Sequence, residues 1–222
     1  MNLSEVGREL RRLGTAQNRK VYGRHGVREP MYGASFADLR ALKKRIKADQ
    51  PLAEELWASG NHDSRVLATM IADPNVIRAV ELESWLRDLD NYVIADAFSG
   101  LVWRTPHARS KAEKWLKSRK EFIGQVGYNL LAYLAMNDED LPNSYLEGHL
   151  RTIEAEIHGS ANRIRHAMNQ ALIAVGLRNQ ILQRCAMAAA RRIGKVEVDH
   201  GDTSCKTPDA VAYIKKVIKR RA

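Results

Sequence analysis

The sequence predicts an all-α protein made of stacked helix pairs, and three observations carry that expectation. Apolar residues recur three and four apart along nearly the whole chain, whereas the strict alternation of a half-buried strand is almost absent. The periodicity lapses at Gly60, Asp73-Pro74, Thr105-Pro106, Leu141-Pro142 and Gly176, all of them turn-forming residues. The connections are short, so successive helices should lie antiparallel as hairpins.

Start and stop signals place helices over 3–13, 35–48, 51–59, 62–72, 81–89 and 91–103, and then over 107–118, 120–136, 143–157, 160–176, 178–194 and 208–219. The last opens with Thr207 as its cap and Pro208 at its first position. Hairpins return about every 30 to 40 residues without a crisp consensus, which fits a degenerate HEAT-like or armadillo-like repeat; a compact helical bundle is the alternative. Two stretches read as non-helical. Thr15 to Ala34 is a basic linker punctuated by Gly23, Gly26 and Pro30, and Lys195 to Thr207 is a polar loop. The expected organisation is therefore an N-terminal helix and basic linker (1–30), a helical repeat domain (31–194), and a polar loop with a basic C-terminal helix packed on the same domain (195–222).

Composition narrows the function. The apolar share of 45% is ordinary for a folded domain, and no apolar run is long enough to span a bilayer. Arg8, Arg11 and Arg12 interrupt the N-terminal segment, so no secretory signal and a cytoplasmic location are expected. Two cysteines do not make a disulfide framework; Cys185 reads as core and Cys205 as part of the polar loop. The net charge of +10 is concentrated in Arg8 to Arg28, Arg178 to Lys195 and Lys206 to Arg221, while acids gather at 81–90 and 138–140. One basic face and a polyanionic partner follow, against the alternative of a merely solubilising surface.

Segment 91–103 sorts its side chains onto two faces. Val93, Ile94, Ala97, Phe98, Leu101 and Val102 form a stripe expected to be buried, and Tyr92, Asp96, Ser99 and Trp103 line up opposite. A carboxylate framed by outward aromatics suits a sugar and base. The alternative, in which the rings pack on a neighbouring helix and Asp96 pairs with an arginine, stays open.

In 160–176 and its lead-in, His158, Asn162, Arg165 and Asn169 form a stripe of hydrogen-bond donors suited to phosphate or to an inter-helix network. Asp199, His200, Asp202 and Cys205, with neighbouring Lys206, lack metal-ligand spacing, so no metal is expected and the loop should hold its own turns against the helices.

The stretches MYGASFADLRALKKRIK, LAEELWASGNHDSRVLATMIADP, NYVIAD and EFIGQVGYNLLAYLA resemble the bacterial DNA alkylation-repair glycosylases with HEAT-like repeats, the AlkD-like family, over roughly Met31 to Ile193. The resemblance implies a right-handed α-α superhelix whose basic concave face holds duplex DNA through phosphates and deoxyribose, acting as a monomer without cofactor. In active members an aspartate flanked by aromatics stabilises the oxocarbenium-like sugar as a cationic alkylpurine leaves. Asp96 matches that aspartate and Tyr92 an aromatic beside it. Two positions depart: Gln125 stands where the family has a helper arginine, and Gln170 where it has a second pocket tryptophan. Trp103, Arg165 and His166 are the candidates to compensate. The expected DNA contacts are Trp103, Arg165, His166, Asn169, Gln170 and Gln125, joined by Arg19, Lys20 and Arg24 of the linker.

The sequence thus points to a DNA repair protein that binds duplex DNA and leans toward a monofunctional N-alkylpurine glycosylase, a hydrolase. A non-catalytic DNA-binding module or a protein-interaction scaffold is the alternative.

Overall fold

A computed structural model describes residues 1–221, and every element of regular structure in it is helical. The helices are α1 Leu3–Leu13, α2 Ala16–Arg24, α3 Phe36–Ile46, α4 Gln50–Ala58, α5 His62–Ile71, α6 Ala79–Arg87 and α7 Tyr92–Val102. They continue as α8 Ala108–Trp115, α9 Glu121–Asn137, α10 Asn143–Glu156, α11 Asn162–Gly176, α12 Gln180–Ile193 and α13 Ala210–Arg221, with a 3-10 turn at Ile157–Gly159. No strand occurs among the described residues.

Their starts are set by short polar caps. Asn2, Thr15, Ser35, Asp49, Asn61, Asn91 and Asn179 each accept a first-turn backbone N–H through the side chain. At Asn2 and Ser35 the third helical residue, Glu5 or Asp38, reciprocates. Such caps satisfy donors that a helix cannot satisfy itself.

The chain divides into two compact units, Met1–His107 with Gly201–Thr203, and Ala108–His200 with the segment from Ser204 on. In the first, α4 packs on α5, and α5 packs on α3 and α7. Leu39, Leu56, Leu67, Leu82 and Phe98 are fully enclosed at its centre. Trp57 stacks flat on Trp85, with ring centroids 4.3 Å apart and an interplanar angle of 3°. The Arg65 guanidinium lies 5.4 Å from the Trp57 centroid and donates to the Asp88 carbonyl, while Trp57 Nε1 donates to Asp88 Oδ2 at 2.8 Å. Trp57, Trp85, Arg65 and Asp88 thus form one aromatic and cationic joint.

The segment expected as a linker is a helix for part of its length. α2 carries no fully buried residue and almost no apolar periodicity, so its own sequence gives a weak signal. Tertiary bonds hold it instead: Asn18 Nδ2 donates to Gly33 O at 2.9 Å, Thr15 N to Gly33 O at 3.1 Å, and the Tyr22 hydroxyl to Ala34 O. Gly33, at φ +82°, sits where a Cβ would come within 2.7 Å of Thr15 O. Asp63, entirely buried, accepts from Tyr32 N, Gly33 N and Ala34 N at 2.7, 3.1 and 2.7 Å and so anchors the strip of chain on which α2 rests.

In the second unit, α9 packs against α8 and α11, and α11 against α12 and α13. A core built on Leu131, Leu150, Ile153, Ala167, Leu172, Leu182 and Ile214 is sealed between them. Gly127 makes the α8–α9 approach possible, since a Cβ there would lie 2.5 Å from Leu116 N. The C-terminal polar segment is strapped onto α11 in this unit. Asn162 donates to Asp199 O and accepts from Asp199 N, both at 2.8 Å. Arg165 Nη1 donates to Glu197 O at 2.8 Å and Asn169 Nδ2 to Pro208 O at 3.0 Å.

Candidate functional site

In the first unit α2 and α7 face each other across a cleft of about 380 Å3. α7 contributes Tyr92, Val93, Asp96 and Ala97; α2 contributes Val21, Tyr22 and, at its C-cap, His25; Phe36 closes the side from the first turn of α3. Asp96 is exposed, and the rest of the lining is half-buried. Four flat rings therefore surround one carboxylate, and the lining includes no lysine or arginine. His25 Nδ1 and the Tyr92 hydroxyl are hydrogen-bonded, their rings meeting at 62°.

Tyr22 and His62 stiffen the wall behind the cleft. Their rings meet edge-on at 5.6 Å. Burial, reinforced by the negative charges of Asp63 and Asp38, pushes the Tyr22 phenol up to about 12, which keeps it a neutral donor to Ala34 O. Burial lowers the His62 imidazole below its ordinary value, outweighing Asp63 and Asp90, and its Nδ1 is enclosed without a hydrogen-bond partner.

The expected pairing of Tyr92 with Asp96 on one surface is present in this cleft, but the two faces of α7 differ from expectation. Ser99 is fully buried and donates to Ala95 O at 2.7 Å, so it belongs to the interior. Val93 and Ala97, expected in the core, line the cleft. Trp103 is half-buried at the C-cap of α7 and is not part of the lining. Arg19, Lys20 and Arg24 are exposed on α2, and Arg19 Nη1 donates to Tyr32 O at 3.3 Å.

The remaining candidates, apart from Asp202, lie in the second unit. Gln125 and Asn169, each 2% exposed, are corrected from DNA contacts to interior residues, because burial leaves no surface for a phosphate. Asn162 and Arg165 are spent on the backbone of 197–199, and His158 Nε2 pairs with Ile193 O at 2.9 Å. The donor stripe is thus an inter-segment network. His166 stands edge-on to His200 at 5.6 Å; burial, then His200 and Arg163, lower its imidazole to about 4. His200 Nε2 in turn pairs with Thr207 Oγ1 at 2.9 Å. Gln170 is half-buried on α11, and Asp202, Cys205 and Lys206 are exposed. Cys185 is half-buried against the core of this unit.

Sequence reasoning missed Tyr22, Phe36, His62 and Asp63 as parts of the cleft or its support. The usable signal was the Asn61-His62-Asp63 run, three consecutive polar residues at a helix start that the structure buries.

Comparison with known proteins agrees with this architecture. A solved structure from a family of proteins related to the HEAT-like repeat DNA glycosylases, with affinity for branched DNA structures, matches at a TM-score of 0.91 and 29% identity, covering 100% of this chain and 95% of that one. The fold is accordingly the HEAT-like repeat fold of those glycosylases. The chain is 29% identical to the uncharacterized protein Lin0241 of Listeria innocua and 28% identical to the uncharacterized protein Lmo0209 of Listeria monocytogenes, in each case over 99% of both chains. Residues 6–214 match the family model described as DNA alkylation repair enzyme. On that match the chain belongs to the DNA alkylation repair enzyme family.

Proposed function

We propose that the protein binds DNA through the sugar–phosphate backbone and prefers branched DNA to linear duplex. The observation that carries this reading is the full-length likeness to a protein whose family has affinity for branched DNA. The net charge of +10 and the exposed Arg19, Lys20 and Arg24 on α2 support it, since phosphate contacts grip DNA without reading sequence. Backbone contacts also suit a branch, which differs from a duplex in where its phosphates lie.

The test is a titration of labelled four-way junction, forked and linear duplex DNA at two salt concentrations. The junction should bind at least about fivefold more tightly than the duplex, and binding should weaken with salt as counterion release requires. Equal affinity for junction and duplex overturns the preference, and salt-independent binding overturns backbone recognition.

Excision of cationic alkylpurines is a second reading, favoured by the exposed Asp96 carboxylate among the rings of Tyr22, His25, Phe36 and Tyr92. Aromatic faces attract a cationic ring, and a carboxylate stabilises a developing sugar cation. Against it stand Gln125, buried where the family resemblance places a helper arginine, and a lining without any cation. Release of 7-methylguanine or 3-methyladenine from methylated duplex, abolished in Asp96→Asn, would establish excision; no release by the wild type would exclude it.

A further inference from the structure

The second unit contains a cleft that the DNA reading does not use. It lies between α8 and α10, has α9 and α11 at its base, and encloses about 770 Å3. Small-molecule sites commonly measure roughly 300–1,000 Å3. Leu116, Ile164 and Met168 give it an apolar floor.

Two side chains that can hydrogen-bond line the inner wall of this cleft, Tyr128 and His149. Tyr128 is only 2% exposed and turns up in the lining of the cleft. His149, half-buried, meets the Tyr145 ring edge-on at 4.7 Å. Burial, aided by Glu156, pushes the Tyr128 phenol up to about 12, and burial lowers the His149 imidazole against the opposing pull of Glu113. Both groups are therefore neutral at pH 7, one a donor and the other a donor or acceptor. Both side chains can thus offer hydrogen bonds to the edge of a ligand that enters the cleft.

The charges around the mouth are divided. Glu113 and Glu156 stand on α8 and α10, and Lys117 and Arg119 stand in the turn after α8. Among the described residues no group of three or more His, Cys, Asp or Glu is placed to hold a metal ion. The complementary ligand has a flat face for the floor, a hydrogen-bonding edge with amino groups for the inner wall and carboxylates, and an anionic group for Lys117 and Arg119. A nucleotide has all three.

We propose that this cleft binds a single nucleotide unit, its base on the apolar floor, its edge at Tyr128 and His149, and its phosphate at Lys117 and Arg119. The unit is supplied either free or as an unpaired nucleotide of a strand. The inference does not depend on the preference for branched DNA.

The test is calorimetric titration of the full chain with dAMP, dGMP, dCMP and dTMP, with the corresponding nucleosides, and with a trinucleotide with and without a 5′-phosphate. At least one monophosphate or the phosphorylated trinucleotide should bind, with its unphosphorylated counterpart about tenfold weaker. Tyr128→Phe and Arg119→Ala should each weaken binding about three- to tenfold. Arg119 is exposed, so Arg119→Ala should leave thermal melting unchanged and separates binding from folding. Response to the monophosphates assigns a free ligand; response to the trinucleotide alone assigns a strand. No binding by any probe at millimolar concentration, or binding that both variants leave intact, overturns the proposal. Junction binding that persists while every nucleotide titration is silent would remove this proposal alone.

Discussion

The imidazole of His25 and the phenol of Tyr92 are hydrogen-bonded across 67 positions of sequence, joining the end of α2 to the start of α7. That bond closes one wall of the cleft in which Asp96 stands. Tyr92→Phe keeps the ring and removes the bond. Stability should fall by about 1 kcal/mol, and hydrogen exchange should quicken over 16–24 while the interior of α7 stays protected. Unchanged exchange in α2 would show that the bond does not hold it.

Asp63 should be among the least replaceable residues of the first unit. It satisfies three backbone donors from a fully buried position. Asp63→Ala would strand all three, at a cost of more than about 3 kcal/mol by the usual penalty for buried unsatisfied groups. Urea denaturation measures it, and a loss under about 1 kcal/mol would mean that water replaces the carboxylate.

The helices themselves were legible, because caps and breakers coincide with the apolar period; the expected helix over 62–72 and the observed His62–Ile71 differ by one residue. α2 was not. Its stability comes from Gly33, Ala34 and Tyr92, residues brought to it by folding, and nothing in Ala16–Arg24 announces them. The same omission misplaced Val93 and Ala97. They are apolar because the cleft against α2 is apolar, so a period of 3.6 alone assigned them to the core. Asp96 and Tyr92 were legible since charge and ring on one helical face need no knowledge of the partner helix. The stripe from His158 to Asn169 had the right geometry and an unforeseen partner, the main chain of 193–208.

Acid should weaken the second unit through His166. Its folded value near 4 lies below the ordinary 6.5, so the unfolded chain takes up a proton that the fold refuses. Above pH 6.5 the imidazole is neutral in both states and contributes no pH dependence. Between 6.5 and 4 stability falls, by about 2 kcal/mol at most given its partial exposure. His149 shifts in the same direction. Thermal melts from pH 7 to 4 should show this decline, and His166→Gln should flatten it; an unchanged slope in the variant would assign the decline to other groups.

Charge on α2 should matter for DNA and not for folding. Lys20 and Arg24 are exposed. Lys20→Ala and Arg24→Ala should each weaken junction binding several-fold and reduce the salt slope by about 1, with melting temperatures unaltered. An unchanged slope in both would place the phosphate contacts elsewhere.

Loosening the strap on α11 should expose the C-terminal segment to proteases. Asn162→Ala removes both bonds to Asp199, and trypsin should then cut at Lys195 or Lys206 faster than in the wild type. Equal cutting rates would show that Arg165 and Asn169 suffice.

That strap also bears on how the protein can change over evolutionary time. Asn162, Arg165 and Asn169 grip main-chain groups of residues 197, 199 and 208, so the hold is indifferent to the identities of the side chains there. These four bonds therefore call for particular side chains at the three gripping positions on α11 and for none at 197 and 199. The segment is a place where lineages can acquire new surface chemistry without having to reinvent the helices beneath it.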